Sequence, residues 1–163
     1  MKIGYSSDDY ATRRNIIDIV GDAQYFKLHN INKYLSDTRF VRWFARKILR
    51  TNSFDLSTSF TELFNSHGAD LIHFFNTISF GTTPWITTFE TIVPRLKITL
   101  TCHHGRDCDY SSLKAEPKIL KALDALSGDS CKKLIALSEC NLGMQVDFLR
   151  HFPDYHSEIK RKL

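Results

Sequence analysis

The sequence predicts an α/β domain, Rossmann-like and three-layered, with a mostly parallel sheet covered on both faces. Two observations carry the prediction. Short apolar runs rich in β-branched and aromatic residues, at 70–75, 85–89 and 132–137, alternate with stretches whose apolar residues recur every three or four positions. Such alternation of short strands with longer helices is the pattern of β-α units. A third observation sets the scale: 163 residues, 42% hydrophobic and 25% charged, make one domain with a self-supporting core. No apolar run approaches the ~18 to 20 residues that span a bilayer.

In chain order, Lys2 to Ser6 is expected as a first strand, closed by the polar run Ser7-Asp8-Asp9. Residues 8 to 32 suit either helix or strand, because Ile16, Ile17, Ile19 and Val20 fit both periods. Arg39 to Arg50 reads as an amphipathic helix. At ~100° per residue, Phe40, Val41, Phe44 and Ile48 share one sector, with Arg39, Arg42, Trp43, Arg46, Lys47 and Arg50 opposite. Asp70 to Phe75 is a strand that ends in the polar loop Asn76 to Thr83. Trp85 to Phe89 is another, with Pro84 just before it, where a missing donor does least harm. Ile98 to Thr101 is a shorter strand candidate. Pro117 opens a helix bearing Ile119, Leu120, Leu123 and Leu126 on one face, stopped at Gly128. The last strand, Lys132 to Leu137, leads to Ser138, an N-cap for a helix marked by Leu142, Val146 and Leu149. The domain is expected to cover 1–155, with 156–163 the start of an interdomain linker or tail.

Twenty-two basic against 18 acidic residues leave a net charge of +4. That excess is mild, so no nucleic-acid partner is expected, although a nucleic-acid binder using Arg39 to Arg50 is the reading such a face would otherwise suggest. The opening residues Met1 to Asp9 lack the apolar core of a signal peptide, which makes the cytoplasm the expected compartment. In that compartment Cys102, Cys108, Cys131 and Cys140 read as thiols.

Ligands of open parallel sheets bind beyond the carboxyl ends of the strands. That rule singles out three loops: Asn76 to Thr83, the loop beginning at Glu90, and Ser138-Glu139.

The stretches Ile72-His73-Phe74-Phe75-Asn76-Thr77-Ile78-Ser79, Pro84-Trp85-Ile86-Thr87-Thr88-Phe89-Glu90-Thr91 and Lys132-Lys133-Leu134-Ile135-Ala136-Leu137-Ser138-Glu139 occur in an order and spacing that resemble the amino-terminal half of GT-B glycosyltransferases of the family-four type. The resemblance covers roughly residues 70 to 152 and implies one half of a GT-B fold. It also implies a sugar acceptor, free or lipid-linked, held by this domain, and a nucleotide-sugar donor bound by a carboxyl-terminal partner domain. No cofactor or metal is then expected in this half, and alone it is not expected to catalyse. Acceptor-binding positions implied are Asn76, Thr77, Ser79, Arg106, Ser138 and Glu139, with Glu90 as the catalytic candidate. Glu90 stands where many relatives carry a His, and Gly4-Tyr5-Ser6-Ser7 where many carry a Gly-Gly pair.

Each residue also has a plainer reading. Glu90 can accept a hydrogen bond from an acceptor hydroxyl or act as a base, or it can cap a helix or pair with Arg95. Asn76 and Thr77 can hold sugar hydroxyls or shape a turn. Ser138 suits a helix cap, Glu139 the favourable first turn, and His73 a core position. Cys102-His103-His104-Gly105-Arg106-Asp107-Cys108 has zinc-ligand residue types at poor spacing, and reads better as a loop over the cleft in which Arg106 meets an anion. The face formed by Arg39, Arg42, Trp43, Arg46 and Arg50 is either a solvated helix surface or a dock for anionic lipid at the inner face of the membrane. The alternative to a glycosyltransferase half is a stand-alone, non-catalytic Rossmann-like binding module.

Overall fold

The computed structural model describes residues 1–32, 38, 43, 47, 53–62, 68–103 and 113–163. Strands β1 (Lys2–Tyr5), β2 (Gln24–Lys27), β4 (Leu71–Phe75), β6 (Trp85–Phe89) and β7 (Cys131–Ala136) form a five-stranded sheet in the order β2-β1-β4-β6-β7. Every ladder in it is parallel. Two short strands, β3 (Ser59–Phe60) and β5 (Ile78–Ser79), make a separate parallel pair. The helices described are α1 (Tyr10–Asn15), α2 (Ser53–Ser57), α3 (Lys97–His103), α4 (Pro117–Ser127), α5 (Glu139–Arg150) and α6 (Pro153–Arg161). The expected α/β class with a mostly parallel sheet is therefore what the chain adopts.

The central strands are covered on both faces, as parallel strands require. Ile72 and Phe74 are buried on one side of β4 and His73 on the other; Trp85, Thr87 and Phe89 alternate with buried Thr88 along β6. Phe74 packs between Phe60 and Trp85, with ring centroids at 5.2 and 6.1 Å. Helix α4 supplies Ile119, Ala122, Leu123 and Leu126 to the same core. Gly128 ends that helix as expected.

The opening strand, the strands at 71–75 and 85–89, and the last strand lie within a residue or so of their expected limits. Two expectations need correction. Ile98 to Thr101 is helical, inside α3, although its residues are β-branched. Leu96 and Thr99 are buried while Ile98 is largely exposed, a helical rather than an alternating pattern. The helix start is set by long-range and local polar contacts: Lys97 N–H donates to Asp55 Oδ1 at 2.8 Å, and Leu96 N–H to Thr99 Oγ1 at 2.9 Å. On α5 the buried residues are Gln145, Phe148 and Leu149, and Leu142 is exposed, so the stripe is rotated from the one expected. Residues 8 to 32 contain both a helix, α1, and a strand, β2.

Residues 156–163 carry most of α6 and the chain's return to the sheet. Leu134 N–H on edge strand β7 donates to Lys162 O at 2.8 Å. The Lys162 ammonium, 5% exposed, donates to the carbonyls of Leu126, Ser127 and Gly128 at 3.0, 2.6 and 2.7 Å. These are carbonyls that the end of α4 leaves without helical partners, and a cation there also suits the helix dipole.

Candidate functional site

Because the sheet is parallel, β1, β4, β6 and β7 all end at one edge. Strand order reverses at β1, which has β2 on one side and β4 on the other. The crevice between β1 and β4 is thus the switch point at which open sheets bind ligands. A cleft of about 320 Å³ occupies that place, lined by Ser6 and Ser7 after β1, Asn76 and Thr77 after β4, Glu90 after β6, and Arg95.

Asn76 organises this edge. Its φ of 54° puts it in the left-handed region, which asparagine tolerates better than most residues. Its own N–H donates to Thr88 O at 2.9 Å. Its side chain then meets Glu90 twice: Nδ2 donates to Glu90 Oε1 at 3.0 Å, and Oδ1 accepts the Glu90 N–H at 3.1 Å. The ends of β4 and β6 are tied together by one amide.

Glu90 is held from other sides as well. An Arg95 guanidinium nitrogen lies 3.3 Å from the same Oε1. Asn141 Nδ2 donates to the Glu90 carbonyl. Further along the loop, buried Gln145 grips Val93 on both backbone groups, at 2.7 Å from its N–H and 2.8 Å from its carbonyl. Thr58 Oγ1 donates to the Arg95 carbonyl at 2.9 Å. The result is a carboxylate with one oxygen held by an amide donor and an ion pair and its other oxygen, Oε2, unengaged among the described residues. The Arg95 side chain lies over the Phe54 ring at 5.9 Å, and its buried Nε–H has no hydrogen-bond partner.

Of the sequence-expected residues, Glu90, Asn76 and Thr77 come together in the cleft. Thr77 Oγ1 donates to Phe75 O at 3.0 Å, so it also shapes the turn. Ser79 does not line the cleft; it is buried in β5 and accepts the Gly81 N–H at 3.0 Å. Ser138 caps α5, accepting the Asn141 N–H at 3.2 Å, and reaches Glu90 only through Asn141. Glu139 is exposed in the first turn of α5. His73 is a buried strand residue whose Nε2 lies 2.8 Å from Thr88 Oγ1; burial lowers its pKa to about 4. Arg39, Arg42, Arg46, Arg50 and Arg106 lie outside the described residues; Trp43 is 54% exposed. Cys131 is buried, which pushes its thiol up to about 12, and Cys140 is exposed.

Sequence reasoning named Arg95 only as an ion-pair partner and missed Asn141 and Gln145. Gln145 had a readable signal, a polar residue three and four positions before Phe148 and Leu149 on the face that packs inward. Among the described residues no helix is long and apolar enough to cross a membrane, and no three His, Cys, Asp or Glu side chains are grouped to hold a metal.

Chemically, the cleft offers the carboxylates of Glu90 and Asp9, an amide, a guanidinium and the hydroxyls of Ser6 and Ser7, the latter donating to Asp9, around one small space. That set can accept from and donate to several hydroxyls of one polyol. No protein-family model matches this chain, and neither a curated protein nor a solved structure matches it.

Proposed function

We propose that this chain is the acceptor-binding, amino-terminal domain of a nucleotide-sugar-dependent glycosyltransferase of the GT-B type, acting in polysaccharide or glycolipid synthesis. The observation that carries the reading is Glu90 in the switch-point cleft, with Oε1 held by Asn76 and Arg95 and Oε2 left to a ligand. A carboxylate fixed in this way suits an acceptor hydroxyl, as a hydrogen-bond acceptor or as the base that takes its proton. The clamps on Glu90, Val93 and Arg95 support it too, because acceptor chemistry needs a carboxylate whose position does not drift. The donor nucleotide-sugar would be held by a second domain facing this edge, and the acceptor would be a sugar, free or lipid-linked.

The test uses protein expressed from the complete reading frame, supplied with a panel of labelled UDP-, GDP- and ADP-sugars and a cell-envelope extract as acceptor. Label transfer that falls at least about a hundredfold in Glu90→Gln, with the fold intact, is the expected result. Transfer undiminished in Glu90→Gln removes that residue from the chemistry, and absence of transfer from every donor removes the enzyme reading.

One observation favours a second reading, a stand-alone binding module. Lys162 and α6 close over the end of α4 and the β7 edge, as they would in a self-contained domain. A reading frame that stops directly after Leu163 would favour that module.

A further inference from the structure

A second cavity, of about 230 Å³, adjoins the cleft and shares Thr58 and Arg95 with it. Leu56, Ile78 and Leu96 give it an apolar wall. Among the described residues its charged groups are Arg95, Lys118 and Lys121 against one carboxylate, Asp55.

Asp55 is committed to the Lys97 backbone and to Lys118. It is buried, its Oδ1 accepts the Lys97 N–H at 2.8 Å, and its Oδ2 lies 3.7 Å from Lys118 Nζ. Lys121 has no carboxylate partner among the described residues, and its ammonium sits 4.8 Å from the centre of the Phe80 ring. Lys118 and Lys121 are three positions apart on α4 and so share a face. Arg95 adds a buried Nε–H with no acceptor. Glu90 neutralises part of Arg95 from the cleft side. Among the described residues, three cationic side chains and one carboxylate therefore line the cavity beside an apolar wall.

We propose that this cavity binds a small phosphomonoester, with its phosphate among Lys118, Lys121 and Arg95 and its carbon body against Leu56, Ile78 and Leu96. A phosphomonoester carries about −1.5 to −2 charges at neutral pH, which suits a wall bearing Arg95, Lys118 and Lys121. The volume falls below the ~300 Å³ at which pockets for drug-sized ligands begin, so the occupant is small. The site shares Arg95 with the cleft but does not use Glu90, so it can be tested apart from the sugar reading.

The probe is phenyl phosphate, titrated into the 163-residue chain at fixed ionic strength by calorimetry, with inorganic phosphate in parallel. Saturable binding is expected, tighter for phenyl phosphate than for inorganic phosphate. Lys118→Gln/Lys121→Gln weakens it at least about tenfold, whereas Lys132→Gln/Lys160→Gln, which removes the same charge from exposed positions elsewhere, leaves it unchanged. Lys118 also neutralises buried Asp55, so Lys121→Gln alone serves as the second variant, with a smaller loss expected. Absence of saturable binding, equal loss in the cavity and control variants, or no loss in Lys121→Gln would each overturn the proposal.

Discussion

Two basic side chains at opposite edges of the sheet have opposite local environments. Lys162 lies where α4 hands over to β7, at the edge where strands begin; its ammonium is buried and meets three carbonyls. Arg95 lies where β6 has ended; its guanidinium has one carboxylate at 3.3 Å, an aromatic face, and a buried Nε–H that meets nothing. An ammonium has three donors, and Lys162 uses all of them on the chain's own backbone. A guanidinium has five, and Arg95 leaves donors over. The first arrangement is complete as it stands and stabilises the fold. The second is stable only because neighbours clamp it, and spare donors beside a cleft are what a ligand completes.

That contrast fixes what mutations should do. Lys162→Met is expected to have the largest effect on stability, a loss of about 3 to 4 kcal/mol, because the buried carbonyls of Leu126 and Ser127 lose their donor while that of Gly128 keeps only the Cys131 N–H. Urea unfolding measures it, and ligand binding at the cleft should not change. A loss under about 1 kcal/mol would mean those carbonyls find water instead.

Acid is the next largest perturbation. Burial holds His73 neutral, with a pKa of about 4 against 6.5 ordinarily. The unfolded chain therefore takes up a proton that the folded chain refuses. Stability contributed by neutral His73 is intact above about 6.5, declines as pH falls from there to about 4, and then levels off, a total of about 3 kcal/mol. Denaturation midpoints measured across that range should flatten in His73→Gln, apart from the shared drift of the carboxylates.

Gln145→Leu should cost about 2 kcal/mol, since it leaves the buried Val93 N–H and carbonyl unpaired. Unlike Lys162→Met, it should also loosen the loop that carries Glu90 and Arg95. Hydrogen exchange at Val93 N–H rises if the clamp is what holds the loop, and stays slow if packing alone suffices. The smallest stability effect belongs to Glu90→Gln, under about 0.5 kcal/mol, because the ion pair is partly solvated. Its effect on ligands is expected to be the largest of the set.

What was legible in the sequence follows the same division. Buried strands announce themselves: apart from His73, the runs at 71–75 and 85–89 are apolar, β-branched or aromatic, because both faces are covered. Glu90, Asn76 and Thr77 can be grouped from the sequence alone, since parallel strands deliver their last residues to one edge. Helix α3 was hidden because its start depends on Asp55, 42 residues earlier in the chain, and on Thr99 turning its hydroxyl back to the Leu96 N–H. Composition alone made Ile98-Thr99-Leu100-Thr101 look like a strand. Ser138 was legible as a cap, but its link to Glu90 through Asn141 depends on α5 packing beside β6. Arg95 and Lys162 have the same formal charge in the sequence, and only the packing separates the saturated cation from the one with donors to spare.

The most direct test is to follow the backbone amides of the 163-residue chain by NMR while titrating a panel of mono- and disaccharides. The account predicts that at least one sugar shifts the amides of Ser6, Ser7, Asn76 and Glu90, that the shifts saturate, and that Glu90→Gln abolishes them while Lys162→Met does not. Shifts elsewhere on the molecule, or shifts that persist in Glu90→Gln, would contradict it.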